Sequence, residues 1–173
     1  MRDFSFRGQY SKYAKFLFNP IENKYGSFTI LSRLIDVYIF SAIYGYLNNA
    51  FEEYDSKVEN DVDRDEISTV KQAVFINNNK FPIVRKIILI NENKSGRSPS
   101  ERIDSVFRYD YEYIEDSQYE KNSKIMEGYV LGGLRKLYDK FKDVRTEEDC
   151  AKLMYDMVHE FAGEVNIEEP MKD

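Results

Sequence analysis

Apolar positions in this 173-residue chain recur mostly at helical spacing. Tyr10, Tyr13, Ala14 and Leu17 fall at i, i+3, i+4 and i+7, which predicts a short helix over 9–18. Asn19-Pro20 stops it, because the residue before a proline is pushed out of the helical region. Tyr25-Gly26-Ser27 reads as a turn, with Ser27 or Thr29 as the N-cap of the next helix. That helix, about residues 28–48, is apolar almost all round and is expected to be central and buried on most sides. Its length decides for helix despite the β-branched residues. Arg33 and Asp36, three apart, can pair on the polar strip that remains. Gly45 marks close packing or the approach to an end at Asn48-Asn49.

Residues 51–66 are polar and strongly acidic, and read as a solvated linker that lacks the glycine and terminal glutamate of a calcium loop. Two apolar runs, 67–76 and 82–92, admit helix or strand. Helix is favoured for the second, where Pro82 suits a first helical turn. Ser98-Pro99-Ser100-Glu101 is a helix start, and the apolar face behind it is Ile103, Val106, Phe107 and Tyr111. Helices over 122–142 and from Thr146 to about Glu164 come next. Thr146 and Asp149 form a capping box for the last one, with Leu153, Met154, Met157, Val158 and Phe161 as its apolar stripe. The final NIEEPMKD is expected to fray. The expected fold class is all-α or nearly so: one domain over 1–173, with five to seven helices around the central one.

Composition sharpens this picture in three respects. A chain of this length buries roughly 70% of its unfolded surface and needs no staple. The single cysteine, Cys150, excludes an internal disulfide and a thiolate cluster within the chain, and its neighbours Glu147, Glu148 and Asp149 disfavour a thiolate. Ser32, Arg33, Asp36 and Ser41 interrupt the longest apolar run, so no simple membrane span is expected; with no signal-like start, the expected compartment is the cytoplasm. Fourteen tyrosines and twelve phenylalanines give a Tyr-rich core edge with aromatic surface to spare for a partner.

The net charge of −6 hides a pattern: +3 over 1–50, −6 over 51–70, +5 over 71–108 and −8 over 109–173. An acidic chain is no generic polyanion binder, so nucleic-acid contact requires the two basic blocks to converge. Paired motifs for catalysis are missing. His159 is the only histidine, with neither a nucleophile elbow nor a second ligand to join it, and phosphate-binding glycine loops do not occur. Asp104, Asp110, Glu112 and Asp116 lack nuclease spacing and fit a solvated helix side; a carboxylate-held magnesium nuclease is the one enzymatic alternative left open. The expectation is a non-enzymatic protein without cofactor or metal.

Three places invite a functional interpretation. Lys94, Ser95, Arg97, Ser98, Ser100 and Arg102, with Arg108 beyond, put cations and hydroxyls at a helix N-terminus, where phosphate binds well; a capped loop whose arginines pair with local acids is the favoured reading. Arg2, Arg7, Lys12 and Lys15 alternate with Phe4, Phe6, Tyr10 and Tyr13, a pattern that grips nucleic acid or docks an arm onto protein. Gly128, Gly132 and Gly133 inside a helical stretch imply a kink or a close helix approach. The candidate nucleic-acid contacts are therefore Lys12, Lys15, Lys94, Arg97, Ser98, Arg102 and Arg108.

The succession of YGSFTILSRLIDVYIFSAIYGYLNN, SERIDSVFRYD and KIMEGYVLGGLRKLYDKF after a basic first helix resembles small proteins associated with bacterial DNA-phosphorothioation (Dnd-type) systems. The Ile43–Asn48 stretch carries it, and Tyr129–Leu134 matches in part, with Val130-Leu131 where the family pattern has Ala-Asn. The resemblance implies an accessory role in a DNA-modification, restriction or defence system, binding DNA or a DNA-processing complex, with no catalytic residues to carry over. The alternative is a protein–protein adaptor or small helical subunit without DNA contact, and a homo-oligomer is compatible with either.

Overall fold

The computed structural model describes residues 2–24, 26–53, 66–109 and 117–164. Among them are seven helices and four short strands. The order is β1 (Phe4–Arg7), α1 (Gln9–Phe18), β2 (Ile21–Asn23), β3 (Gly26–Phe28), α2 (Leu34–Leu47), β4 (Ile67–Val70), α3 (Gln72–Ile76), α4 (Phe81–Asn91), α5 (Pro99–Tyr109), α6 (Ser117–Phe141) and α7 (Glu147–Glu164). The protein is mostly helical, as the apolar periodicity predicts.

The centre is a crossing of α2 and α6, and glycine makes it. A methyl group on Gly45 would enter the backbone carbonyl of Tyr129, and one on Gly133 the carbonyl of Ser41. Gly128 and Gly132 likewise accept Phe51 and the Ala50 backbone where the chain leaves α2. Only residues without Cβ let two helix backbones touch in this way. The glycines thus mark close approach. Around the crossing Val37, Ala42, Met126, Val130, Leu131, Leu134 and Leu137 are buried.

Two boundaries differ from the expectation, and one open assignment is resolved. The central helix begins at Leu34, not near 28. Gly26–Phe28 instead pairs antiparallel with Ile21–Asn23, the Leu31 N–H donates to the Leu17 carbonyl at 2.8 Å, and Arg33 is extended before the first turn. Arg33 then clamps Asp36 with two hydrogen bonds of 2.9 Å. The penultimate helix starts at Ser117, five residues before Asn122. The run 67–76, left open between helix and strand, divides into β4 and the single turn of α3, while 81–91 is helical.

The N-terminal basic-aromatic segment is not a free arm. It forms β1, antiparallel to β4 in the register Phe4↔Val70 to Arg7↔Ile67. Phe4 and Phe6 enter the core beside Tyr38, with edge-on rings. Most of the acidic 51–66 run, together with Asp110, Tyr111, Glu112, Asp116 and the NIEEPMKD terminus, lies outside the described residues. No described helix is long and apolar enough to cross a membrane.

Candidate interaction surface

Helix α4 starts where the Asn78 Oδ1 accepts the backbone N–H groups of Lys80 and Phe81, at 2.9 and 3.0 Å, with Pro82 in the first turn. This replaces the donors that the first turn leaves open. One face buries Phe81, Arg85, Ile88 and Leu89. The other carries a second apolar pair, Ile83 and Ile87, which stay 61% and 53% exposed. Helix α5 begins with a reciprocal box. The Ser98 N–H donates to the Glu101 carboxylate at 2.7 Å, and the Glu101 N–H donates back to the Ser98 hydroxyl at 3.3 Å.

Ser105 and Val106 of α5 are buried. Ile103 and Phe107, expected on the core face, are 47% and 54% exposed. The helices run antiparallel: the Arg102 guanidinium donates to the Ile90 carbonyl at 2.7 Å, and the Lys86 ammonium sits 5.6 Å from the centre of the Phe107 ring. Ile83 and Ile87 of α4 and Ile103 and Phe107 of α5 are therefore the exposed apolar side chains of one helical hairpin. Lys80, Lys86 and Arg108 are exposed on the same hairpin, Lys86 beside Phe107 and Arg108 paired with Asp104 at 3.1 Å. Each half-exposed side chain leaves roughly 1 kcal/mol of burial unrealised. Clustered exposed apolar side chains with a charged rim mark an interaction surface more often than scattered single ones.

The loop joining the two helices is locked by the very residues that resemble a phosphate site. Glu92 is fully buried. Its carboxylate accepts the backbone N–H of Lys94 at 2.7 Å and of Ser95 at 2.9 Å, accepts the Ser95 hydroxyl, and faces the Arg97 guanidinium at 3.5 Å. Burial pushes this carboxyl up, but the Ser95 hydroxyl, the two backbone donors and Arg97 outweigh it, and the net shift is downward. Arg97 also donates to the Ser105 hydroxyl at 2.7 Å and to the Asn122 Oδ1 at 3.0 Å, which ties the loop to α5 and α6. Arg102 caps the Arg97 carbonyl at 2.6 Å. Arg97 and Arg102 are thus turned inward as a latch for the hairpin. Lys94 and Arg108 remain exposed, and Ser98 is engaged as a cap.

Lys12 is exposed on α1, and Lys15 pairs with Glu66 at 2.9 Å. Helix α1 lies against the later part of α6: Tyr13 stacks on Tyr138, and Arg135 reaches Tyr10 and Glu52. The latch meets α6 at Asn122. At ~1.5 Å rise per residue these places are about 20 Å apart along one helix. Lys12 and Lys15 thus lie away from the latch, whereas Arg2 of the same N-terminal segment pairs with Glu120 and Glu127 on either side of Asn122.

Elsewhere the chemistry is structural. Burial, then Glu147, pushes the Cys150 thiol up. The His159 ring rests on Tyr155 with centroids 3.9 Å apart, exposed to solvent. Among the described residues no cluster of His, Cys, Asp and Glu is placed to hold a metal ion. A polar cavity of about 20 Å³ lies between Arg2, Tyr38, Arg85, Tyr119, Ser123 and Glu127, room for little more than one water. Sequence periodicity locates the α4–α5 surface only in retrospect, as two apolar stripes on α4 where one suffices for the core. Compared with protein-family models, curated proteins and solved structures, the chain matches none of them, so the case for this surface rests on its own geometry.

Proposed function

We propose that this chain is a non-enzymatic adaptor whose α4–α5 face docks an acidic amphipathic helix of a partner protein. The uncovered Ile83, Ile87, Ile103 and Phe107, with Lys80, Lys86 and Arg108 exposed on the same hairpin, carry the proposal. Helix-in-groove recognition uses anchors at this spacing, and cations at the rim steer an acidic partner. The latch supports it further, since a face held by buried hydrogen bonds is preorganised and loses little freedom on binding. In the setting implied by the resemblance to phosphorothioation-associated proteins, the partner belongs to a DNA-processing complex.

The test places the photo-crosslinking residue p-benzoylphenylalanine at position 87 in expressing cells. A protein adduct that disappears with Phe107→Asp is the expected result; no adduct at all overturns the proposal. Direct DNA contact through Lys80, Lys86, Lys94 and Arg108 is the competing account. It requires duplex binding whose log–log salt slope reaches at most about −4 for these four cations and falls in a Lys86→Glu/Lys94→Glu variant.

A further inference from the structure

A second uncovered stripe lies on α7. Its core side buries Met157 and Cys150 and sets Phe161 edge-on against Tyr44. Its outer side shows Ala151, Tyr155 and Val158 at i, i+4 and i+7, with Tyr155 and Val158 61% and 62% exposed. The spacing makes a line of helical anchors. Glu147 and Glu148 flank it, both exposed, while Asp149, Asp156 and Glu160 lie round the other side of the helix, with Lys152 as the one cation of that helix. The α4–α5 face offers the complement: exposed apolar side chains with Lys80, Lys86 and Arg108 on the same hairpin, in the block that carries +5 of a chain whose net charge is −6.

The two faces cannot meet within one molecule. The hairpin is fastened to α6 at Ser123 and Asn122, through Arg85 at 3.2 Å and Arg97 at 3.0 Å. Helix α7 is fastened at the other end, through Lys140 to Glu160 at 3.2 Å. Along α6 these attachments are about 25 Å apart. We infer that the occupant of the α4–α5 face is the outer stripe of α7 from a second copy of this chain. This rests on the proposal above that the face docks an acidic amphipathic helix, and it names that helix. The contact is heterologous: each copy presents one face and receives the other, so it propagates into a ring or an open chain. The fit in length is adequate, because the α7 anchors rise about 10 Å and α4 offers about 16 Å.

Light scattering behind size-exclusion chromatography tests this with the full chain and two variants, Ile87→Asp/Phe107→Asp and Tyr155→Lys/Val158→Lys. All four positions are exposed, so both variants keep the wild-type melting temperature. Wild type is expected to rise above twice the 20.5 kDa chain mass as concentration increases, and to fall back in high salt. Each variant alone stays monomeric. An equimolar mixture forms a dimer and goes no further, because each variant retains one working face. Wild type that stays monomeric, a variant that dimerises alone, or a mixture that stays monomeric overturns the inference. In those cases the position-87 crosslinker separates the two levels. An adduct with a different protein leaves the adaptor standing without self-assembly, an adduct within the chain assigns the face to its own residues, and no adduct removes both.

Discussion

The α2–α6 crossing and the α4–α5 hairpin are built from the same kinds of residue with opposite outcomes. In the crossing, apolar side chains surround two helices whose backbones touch at glycine, and neighbours cover all but Leu47 at the end of α2. In the hairpin, α4 has one apolar stripe in the core and a second, Ile83 and Ile87, more than half exposed. Periodicity counts apolar positions; it does not count the elements available to cover them. A stripe in excess of the cover is where a helical protein keeps surface for something else.

Substitutions should separate the two regions by the size of their effect. The largest is expected at the crossing. Gly133→Ala places a methyl group inside the Ser41 carbonyl, and the helices must part, at a cost of about 3 kcal/mol or more. A urea titration checks this, and a midpoint within error of wild type would show that the helices have slack. Next comes the latch. Arg97→Ala leaves the buried Glu92 without its cation and is expected to cost about 3 kcal/mol, whereas Glu92→Leu/Arg97→Leu costs less than the single change, since no charge is stranded.

The same latch sets a pH dependence. The folded-state pKa of Glu92 is depressed, so its stabilisation is complete above the ordinary glutamate range and is lost as pH falls through the lower folded value. The gap in melting temperature between wild type and Glu92→Gln should therefore narrow on acidification; a gap that widens would contradict the sign. A smaller effect is expected for Tyr10→Phe, which removes one hydroxyl from the Glu52–Arg135 clamp for about 1 kcal/mol. Burial, then Glu52, pushes that phenol up to about 12, so Tyr10→Phe should remove one of the late-titrating tyrosines from an ultraviolet pH scan, in which buried Tyr38 and Tyr129 are also raised. The smallest is Phe107→Asp on the open face, within about 0.5 kcal/mol in stability, while the position-87 crosslink and the assembly signal are abolished.

Much of the local order was legible in the residues. The Ser98–Glu101 and Thr146–Asp149 boxes form as the spacing predicts, Asn19-Pro20 ends α1, Arg33 holds Asp36, and the glycines of α6 mark a close approach. All but the last depend on neighbours a few residues away, and the glycines announce a close approach by their type without saying what approaches. The hidden features depend on distant ones. Four residues of alternation at Phe4–Arg7 become a strand only because Ile67–Val70 supplies the partner. Arg97 looks like a phosphate ligand until Asn122, 25 positions on, takes its hydrogen bond. Val158 and Phe107 look like core until the fold leaves them without cover.

The glycine contact at the heart of the molecule has a consequence far from it. Two backbones in direct contact have no side chains between them to repack, so α6 cannot roll or slide on α2 by small steps. The helix then acts as a ruler of fixed length and angle, with the hairpin at one end and α7 at the other. Whatever binds at either end is set at an orientation decided inside the protomer, and the pitch of any assembly is written at Gly45 and Gly133 rather than at its interfaces.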